Sequence, residues 1–216
     1  MINIKAFEVN YFSENTYLLY DETNEAVLID CGCMEKEEER ELSEFIADNH
    51  LVLKRYLCTH LHLDHIFGNE FVYKTYGLSP EAHKVDVEML PSPEKQAVLF
   101  GIPQRINTVS VKKFLSGGEI VRFGNAELEV LTVPGHSPGS VAFYNKENGF
   151  IIVGDVLFAG SIGRSDLWGG NHDILLAAIN DKLLSLPDET IVYPGHGAAT
   201  TIYDEKMNNP YLIDNY

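Results

Sequence analysis

The segment His60-Leu-His62-Leu-Asp64-His65 places four potential metal ligands within six residues. It directly follows residues 54–58, a run whose composition predicts a β-strand. Side chains alternate along extended backbone, so His60 and His62 could project to one side while Asp64 and His65 turn toward a neighbouring position. The motif therefore predicts two groups of metal ligands a few ångströms apart, and any fold of this chain must accommodate both.

Three more potential ligands lie in glycine-containing loops, each at or after the end of a predicted strand. They are His136 in Pro134-Gly-His-Ser-Pro-Gly139, Asp155 in Val153-Gly-Asp-Val156 and His196 in Tyr193-Pro-Gly-His-Gly197. A glycine beside each lets the backbone turn tightly. Taken singly, a histidine or aspartate in such a loop is more often an ordinary turn residue. Together with the first motif they supply five histidines and two carboxylates, one of which could bridge two metals.

Short β-rich segments and amphipathic helical segments follow one another along both halves of the chain. In the first half we predict a hairpin of residues 15–20 and 26–29, a helix over 35–50, the strand over 54–58 and a helix over 66–76. In the second half we predict strands near 119–123, 128–133, 140–144, 150–153 and 190–193, and a helix over 173–184 that Asn171 or His172 could cap. Residues 79–109 contain prolines at 80, 91, 93 and 103 and are predicted to form a cap-like insertion with a helix around 93–100. Strands and helices in each half predict an α+β fold of two sheets covered by helices, in four layers.

The balance of charge argues against nucleic acid as a partner. Sixteen Lys and Arg against 32 Asp and Glu leave a formal net charge of −16, which would repel a phosphate backbone. No apolar run approaches the roughly 20 residues of a membrane helix, and the N-terminal residues do not resemble a secretion signal. Cys31, Cys33 and Cys58 are predicted to be reduced, buried thiols, which fits a cytoplasmic location. The remaining histidines are expected to be surface or capping residues: His50, His83 and His172.

The ligand pattern resembles that of the metallo-β-lactamase superfamily over nearly the whole chain. The resemblance implies a single metallo-β-lactamase domain over residues 1–216 with the αββα sandwich fold, built from two mixed β-sheets flanked by helices. In the family pattern, His60, His62 and His136 would hold one metal ion, Asp64, His65 and His196 would hold the other, and Asp155 would bridge them. Two divalent ions are implied, zinc or otherwise iron or manganese, because mixed imidazole and carboxylate ligands suit all three.

The run from Gly154 to Asp166 and the Tyr193–Gly197 segment resemble the glyoxalase II (hydroxyacylglutathione hydrolase) branch, in its short form that lacks a C-terminal helical domain. The resemblance implies metal-dependent hydrolysis of a small-molecule thioester by a metal-bridging hydroxide, which Asp64 and Asp155 would orient. A cysteine at position 155 would have indicated a common class of zinc β-lactamases, so an aspartate there points away from antibiotics. Arg164 is predicted to contact the substrate, or else to form an ion pair with Asp166 that holds its loop.

Several alternatives stay open at this level. Only 20 residues follow His196, whereas the longer hydroxyacylglutathione hydrolases bind much of glutathione through their C-terminal domain, so residues 79–109 could line the pocket instead. A mononuclear iron persulfide dioxygenase, which the Gly163–Asp166 segment also resembles, would use His60, His136 and Asp155. A lactonase of the same fold would share the nucleophile, a metal-stabilised scaffold would keep the ligands without activity, and a di-iron electron-transfer protein would normally need a flavin domain. The sequence does not choose between a monomer and a homodimer.

Overall fold

The computed structural model describes residues 1–103, 106–107 and 109–213, and within these ranges the chain forms two mixed β-sheets flanked by helices. The first half contributes the strands β1 (Asn3–Val9), β2 (Glu14–Tyr20), β3 (Glu25–Ile29), β4 (Val52–Leu57), β5 (Glu81–His83) and β6 (Lys113–Leu115). The second half contributes β7 (Ile120–Phe123), β8 (Ala126–Thr132), β9 (Val141–Asn145), β10 (Phe150–Gly154), β11 (Leu157–Phe158), β12 (Ser161–Ile162), β13 (Ile191–Pro194) and β14 (Thr200–Thr201). The helices are α1 (Lys36–Asp48), α2 (Asn69–Tyr76), α3 (Lys84–Met89), α4 (Pro93–Leu99), α5 (His172–Ala178) and α6 (Ile202–Asn208).

Each sheet combines antiparallel and parallel neighbours. The first sheet has the order β1-β2-β3-β4-β5-β6, antiparallel from β1 to β3 and parallel from β3 to β6. The second has the order β14-β13-β10-β9-β8-β7, in which β10 and β13 are parallel and the other neighbours antiparallel. The parallel pair matters for the site, because β10 and β13 end at the same edge of their sheet.

Three hydrophobic cores separate four layers of structure. Tyr17 and Leu19 of β2 point toward the second sheet and share a core with Phe143 of β9. Leu18 lies between them on the strand, points the other way and shares a core with Leu42 of α1. A third core lies between the outer face of the second sheet and α5. The predicted αββα arrangement, with the two sheets inside and helices outside, is therefore confirmed.

The helix predicted over 173–184 changes geometry partway along. It is α-helical from His172 to Ala178 and continues as a wider π-helical turn over Ile179–Leu183. Of the two predicted caps, Asn171 takes the role, since its side-chain oxygen accepts a hydrogen bond from the Ile174 amide at 3.0 Å. The buried side chains Leu175, Ile179 and Leu183 lie in one core, so the apolar periodicity is kept through the change.

Residues 79–109, predicted as a cap-like insertion, are in part a component of the first sheet. β5 pairs in parallel with β4 on one side and β6 on the other, and the Cys58 amide donates to the Glu81 carbonyl at 2.8 Å. The strand has three residues, of which Ala82 alone is buried, so it carries no alternating apolar pattern. α3 and α4 follow it, and α4 matches the helix predicted around 93–100. Residues 104, 105 and 108 of this segment lie outside the described residues.

The three cysteines are free and buried, as predicted. Cys31 and Cys33 follow β3, and Cys58 follows β4, so all three lie in the core between the first sheet and α1. No helix within the described ranges combines the length and the apolarity needed to cross a membrane.

Candidate metal centre

The seven predicted ligands lie on four segments, each of which follows a strand. His60 and His62 follow β4, His62 in extended backbone, and a 3-10 turn over Leu63–His65 then redirects the chain so that Asp64 and His65 project elsewhere. His136 lies in the loop between β8 and β9, Asp155 directly follows β10, and His196 lies two residues after β13. The structure brings all seven together at one edge of the sandwich.

Three imidazoles form the first ligand group. His62 Nδ1 lies 2.8 Å from His136 Nε2, which in turn lies 3.2 Å from His60 Nε2. Three nitrogens bound tetrahedrally to one zinc-like ion would be separated by about 3.3 Å, given metal–nitrogen distances of about 2.0–2.1 Å. The three rings are buried, and they are arranged as ligands of one ion.

Two histidines and two carboxylates form the second group. His196 Nε2 lies 3.2 Å from Asp64 Oδ2, and His65 Nε2 lies 3.2 Å from Asp155 Oδ1. The other oxygen of Asp155 is 3.5 Å from His196 Nε2 and 3.7 Å from His136 Nε2 of the first group. Asp155 thus contacts both groups, which is the position that a bridging ligand would occupy.

The protonation states of His60, His62 and Asp155 also fit cation binding at this position. Burial, followed by the neighbouring histidines, holds the pKa of His60 well below its ordinary value, and burial lowers the pKa of His62 to about 3. Both rings are therefore in the neutral form that ligates metals. Burial opposes ionisation of Asp155, but His65 and His196 outweigh it and hold the pKa of that carboxyl well below its usual range.

Unpartnered atoms at the centre of the site support the same conclusion. His65 Nε2 and Asp155 Oδ1 are buried and, although they lie 3.2 Å apart, neither forms a well-aligned hydrogen bond with the other or with any other described residue. Buried polar atoms are ordinarily satisfied, so these two indicate a missing partner. A glycine leaves room for them: a Cβ at Gly195 would lie 2.2 Å from Asp155 Oδ1 and 2.7 Å from His65 Cε1. The residues present therefore fit a pair of divalent cations.

The outer nitrogens of four ligand rings are held by the protein. His65 Nδ1 pairs with Asp30 Oδ2 at 2.9 Å, His136 Nδ1 with the Arg164 carbonyl at 2.8 Å, and His196 Nδ1 with the Phe12 carbonyl at 2.9 Å. His60 Nδ1 lies 3.0 Å from the Thr59 hydroxyl. Such contacts fix the tautomer and the orientation of each ring.

Asp30 is a functional residue that the sequence analysis missed. It is buried at the end of β3 and, besides His65, accepts hydrogen bonds from the Thr59 amide and hydroxyl, both at 2.7 Å. The signal that could have found it is the one used for Asp155, an acidic residue directly after a buried strand. Because Asp30 lies in no ligand motif, its sequence context did not distinguish it from a turn residue.

Arg164 forms the ion pair that was one of its two predicted roles. Its Nε and Nη2 atoms donate to the two carboxylate oxygens of Asp166 at 2.8 and 2.9 Å, and both side chains are exposed. Its carbonyl holds His136, and the residue lines the pocket above the ligands. Of the other histidines, His50 and His172 are exposed and His83 caps α3 by accepting from the Val85 amide.

An aromatic wall borders the pocket of about 200 Å³ above the ligands. The rings of Phe12 and Phe100 meet edge to face with centroids 6.3 Å apart, and Phe100 meets Trp168 in the same way at 5.9 Å. Trp168 lies 6.1 Å from the ring of His62, and Leu63 and Leu167 complete the apolar lining. We call Phe12, Phe100 and Trp168 the aromatic wall.

Comparisons with known proteins agree with this geometry. A family model described as the metallo-beta-lactamase superfamily matches residues 9–196. The chain is 38% identical over 215 residues to the hydroxyacylglutathione hydrolase GloC of Haemophilus influenzae, and the match covers 98% of both proteins. Among solved structures, the B3 metallo-beta-lactamase BLEG-1 is similar with a TM-score of 0.86 at 34% identity, over 98% of this chain and 99% of that one. The protein TTHA1623, solved in a di-iron-bound form, has a TM-score of 0.84 at 35% identity, over 96% of this chain and 100% of that one.

Proposed function

Since this chain belongs to the metallo-beta-lactamase superfamily, we propose that it is a dinuclear metal hydrolase that cleaves thioesters of the hydroxyacylglutathione type. One observation carries the proposal: two complete ligand groups lie side by side, and the carboxylate of Asp155 contacts both. The relation to GloC, over nearly the full length of both proteins, supports the substrate class.

The chemistry needed for thioester hydrolysis matches this donor set. Two divalent cations would supply an activated water and polarise the carbonyl under attack. Asp64 Oδ2 and Asp155 Oδ2 both lie within 3.5 Å of His196 Nε2, so their oxygens converge on one face of the site and can accept hydrogen bonds from that water. The departing thiolate needs no strong general acid, because thiols have pKa values near 8.5.

The second ligand group separates this proposal from an iron persulfide dioxygenase. That reaction would use His60, His136 and Asp155 for a single iron. It would leave Asp64, His65 and His196 without a ligand role, although these three are assembled within hydrogen-bonding distance of each other or of Asp155. His65 is buried and Asp64 and His196 are half-buried, and holding these ionisable groups together away from water is costly unless they bind something.

Hydrolysis of β-lactams is the second candidate. The specific observation in its favour is the 34% identity to a B3 metallo-beta-lactamase over almost the whole of both chains. This similarity weakens the expectation that an aspartate at position 155 points away from antibiotics. Thioesters and β-lactams are both acyl compounds open to attack by the same activated water, so only the pocket separates them as substrates.

A panel of three assays tests the proposal. Metal-free protein is reconstituted with zinc, iron or manganese and assayed with S-D-lactoylglutathione, with a chromogenic cephalosporin and, by oxygen uptake, with glutathione persulfide. We expect thioester hydrolysis with at least one metal, at a kcat/KM at least 100-fold above that for the cephalosporin, and no oxygen uptake. Oxygen uptake without thioester cleavage would replace the proposal with the dioxygenase, and faster cephalosporin cleavage would replace it with the β-lactamase.

A further inference from the structure

Asp86 is a buried carboxylate that lies outside both ligand groups. It is on α3, is 1% exposed, and accepts three hydrogen bonds. Oδ2 accepts from the Leu61 amide at 3.1 Å and from the Ser137 hydroxyl at 2.9 Å, and Oδ1 accepts from the Gly139 amide at 2.6 Å. Hydrogen bonds to a charged acceptor are strong, so this buried carboxylate holds the segments that carry its donors firmly in place.

The three donors belong to two different ligand loops. Leu61 lies between His60 and His62, whereas Ser137 and Gly139 lie beside His136. One carboxylate therefore holds the backbone of the first loop and both the backbone and a side chain of the second. The first ligand group is assembled where these two loops meet, which we call the junction. There His62 Nδ1 and His136 Nε2 are 2.8 Å apart.

Close packing at the junction leaves little freedom. A Cβ at Gly139 would lie 2.7 Å from both the amide nitrogen and Oδ1 of Asp86, so the second loop runs directly against α3. The Ser137 hydroxyl that donates to Asp86 is also 2.8 Å from the Ser140 hydroxyl, which fixes its direction. The next helix adds a further tie, because Gln96 of α4 accepts from the Leu63 amide and donates to the Leu61 carbonyl, both at 3.0 Å.

The second ligand group depends on a different carboxylate. Asp30 orients His65 directly, at 2.9 Å, and no hydrogen bond of Asp86 within the described part of the chain reaches Asp64, His65 or His196. Asp86 thus binds only the loops of the first group, whereas Asp30 orients His65 of the second group and also reaches His60 through the Thr59 hydroxyl.

We propose that Asp86 is a positioning residue that sets the spacing between the loop of His60 and His62 and the loop of His136, and so tunes metal affinity at the first ligand group and not at the second. The inference rests on the metal centre of the proposed function and is independent of the substrate.

The test compares metal binding in two backgrounds, using zinc alone as the probe. The Asp64→Ala variant removes a ligand of the second group, so that the affinity it retains reports on the first. Zinc affinity is measured by competition with a chromogenic chelator for Asp64→Ala and for the double variant Asp64→Ala/Asp86→Asn. Asn at position 86 conserves volume but presents an amide where one of the two acceptor oxygens was. We expect the double variant to bind zinc 10- to 100-fold more weakly, the usual effect of removing a hydrogen-bond partner just outside the ligands.

A spectroscopic readout separates positioning from loss of structure. Cobalt(II) bound to Asp64→Ala and to the double variant is compared by its visible absorption, and we expect the bands to shift when position 86 changes. Glu88→Gln is the matched control, since Glu88 is an exposed carboxylate on the same helix, paired with Lys84, and should leave affinity and spectrum unchanged. In protein that keeps all seven candidate ligands, Asp30→Asn should instead lower the zinc affinity of the second group.

The outcomes are distinct. Unchanged zinc affinity and cobalt spectrum in the double variant would overturn the inference, as would equal weakening of both groups by Asp86→Asn in the full ligand set. If the Asn variant does not fold, Ser137→Ala can replace it, because it removes one of the three donors at the same junction. It should lower the zinc affinity of the first group several-fold. Two bound metals in the native chain without thioesterase activity would defeat the proposed function alone, whereas a native chain that binds no divalent metal would overturn both.

Discussion

Arg164 offers the sharpest test of substrate contact by a single residue. The guanidinium group of Arg164 is paired with Asp166, and both side chains are exposed. Replacement of either residue should therefore change the thermal unfolding temperature little. If Arg164 contacts substrate, Arg164→Ala raises KM for the thioester at least fivefold, while Asp166→Ala leaves KM unchanged or lowers it by freeing the guanidinium. Steady-state kinetics of the two variants side by side decide the matter. Equal effects on KM would show that the pair serves only to hold its loop.

Proton release on metal loading should differ between the two ligand groups. Burial lowers the pKa of His196, but its hydrogen bonds to Asp155 and Asp64 outweigh this and raise that pKa to about 10, so the ring is protonated at pH 7 in the metal-free protein. It must lose this proton to bind a cation. His62, with a pKa of about 3, is already neutral at that pH. We therefore expect zinc binding to the second group to release at least one proton and zinc binding to the first to release almost none.

The measurement uses metal-free protein in weakly buffered solution at pH 7 with an indicator dye. His196→Ala should reduce the release, and Asp64→Ala confines binding to the first group. Release of a full proton per zinc in Asp64→Ala would contradict the assignment of neutral rings to His60 and His62.

At the residue scale, sequence reasoning predicts candidate ligands more readily than it predicts the residues that support them. The seven ligands carry a recognisable order and spacing, because metal geometry demands particular residue types at particular intervals. Asp30 and Asp86 act through backbone amides, hydroxyls and a ring nitrogen on other segments. Those partners are distant in the chain, so no ligand motif marks the two aspartates, although Asp30, like Asp155, directly follows a buried strand.

At the scale of elements, the C-terminal end of α4 lies beside the pocket above the candidate ligands. Phe100 caps this helix, is 39% exposed, and forms the centre of the aromatic wall between Phe12 and Trp168. Phe100→Ala should lower kcat/KM for thioesters with an apolar acyl group by roughly two- to tenfold, the range of a lost aromatic contact.

Leu99→Ala is the matched control for this prediction, because Leu99 is 63% exposed on the same helix and does not line the pocket. A set of acyl thioesters of increasing chain length, assayed with both variants, makes the comparison. The prediction fails if Leu99→Ala reduces kcat/KM as much as Phe100→Ala does.

The elements that sequence predicts well are those with enough buried positions to form a pattern. β10 is buried along its full length and α1 buries Leu42 and Ile46 at helical spacing, and both were located within a few residues. β5 was missed because its place in the sheet depends on backbone pairing with β4 and β6 rather than on its side chains. The π-helical turn at the end of α5 was missed because it keeps the same apolar residues in the core.

For the whole molecule, the ligands join the two halves of the sandwich. His60, His62, Asp64 and His65 follow the first sheet, whereas His136, Asp155 and His196 follow strands of the second. A bound cation therefore ties the halves together and stabilises only the folded state. At a metal concentration 1,000 times the Kd this amounts to about 4 kcal/mol, which corresponds to a shift in Tm on the order of 10 °C for a chain of this size.

Differential scanning calorimetry of the metal-loaded and chelator-treated protein checks this expectation. The same treatment applied to a variant that lacks ligands from both groups, His136→Ala/His196→Ala, should leave Tm unchanged. Identical Tm values for loaded and metal-free native protein would show that the cations do not bridge the two halves.

The fold as a whole could be predicted from the order of its elements and from the ligand pattern, because each half must bury one face of its sheet. The substrate could not, since the apolar part of the pocket is lined by Phe12, Leu63, Phe100 and Leu167, which come from four separate segments and are assembled only by tertiary packing. Apart from Leu63, which lies within the ligand motif, none of these residues belongs to a motif, so specificity has to be measured.

The most direct measurement is the rate of S-D-lactoylglutathione hydrolysis as zinc is titrated into metal-free protein, for the native chain and for Asp64→Ala. We predict that the native rate rises until two equivalents are bound, and that Asp64→Ala still binds one equivalent with its fold intact but shows no rate above background. Full activity at one equivalent, or activity in Asp64→Ala equal to that of the native chain, would contradict it.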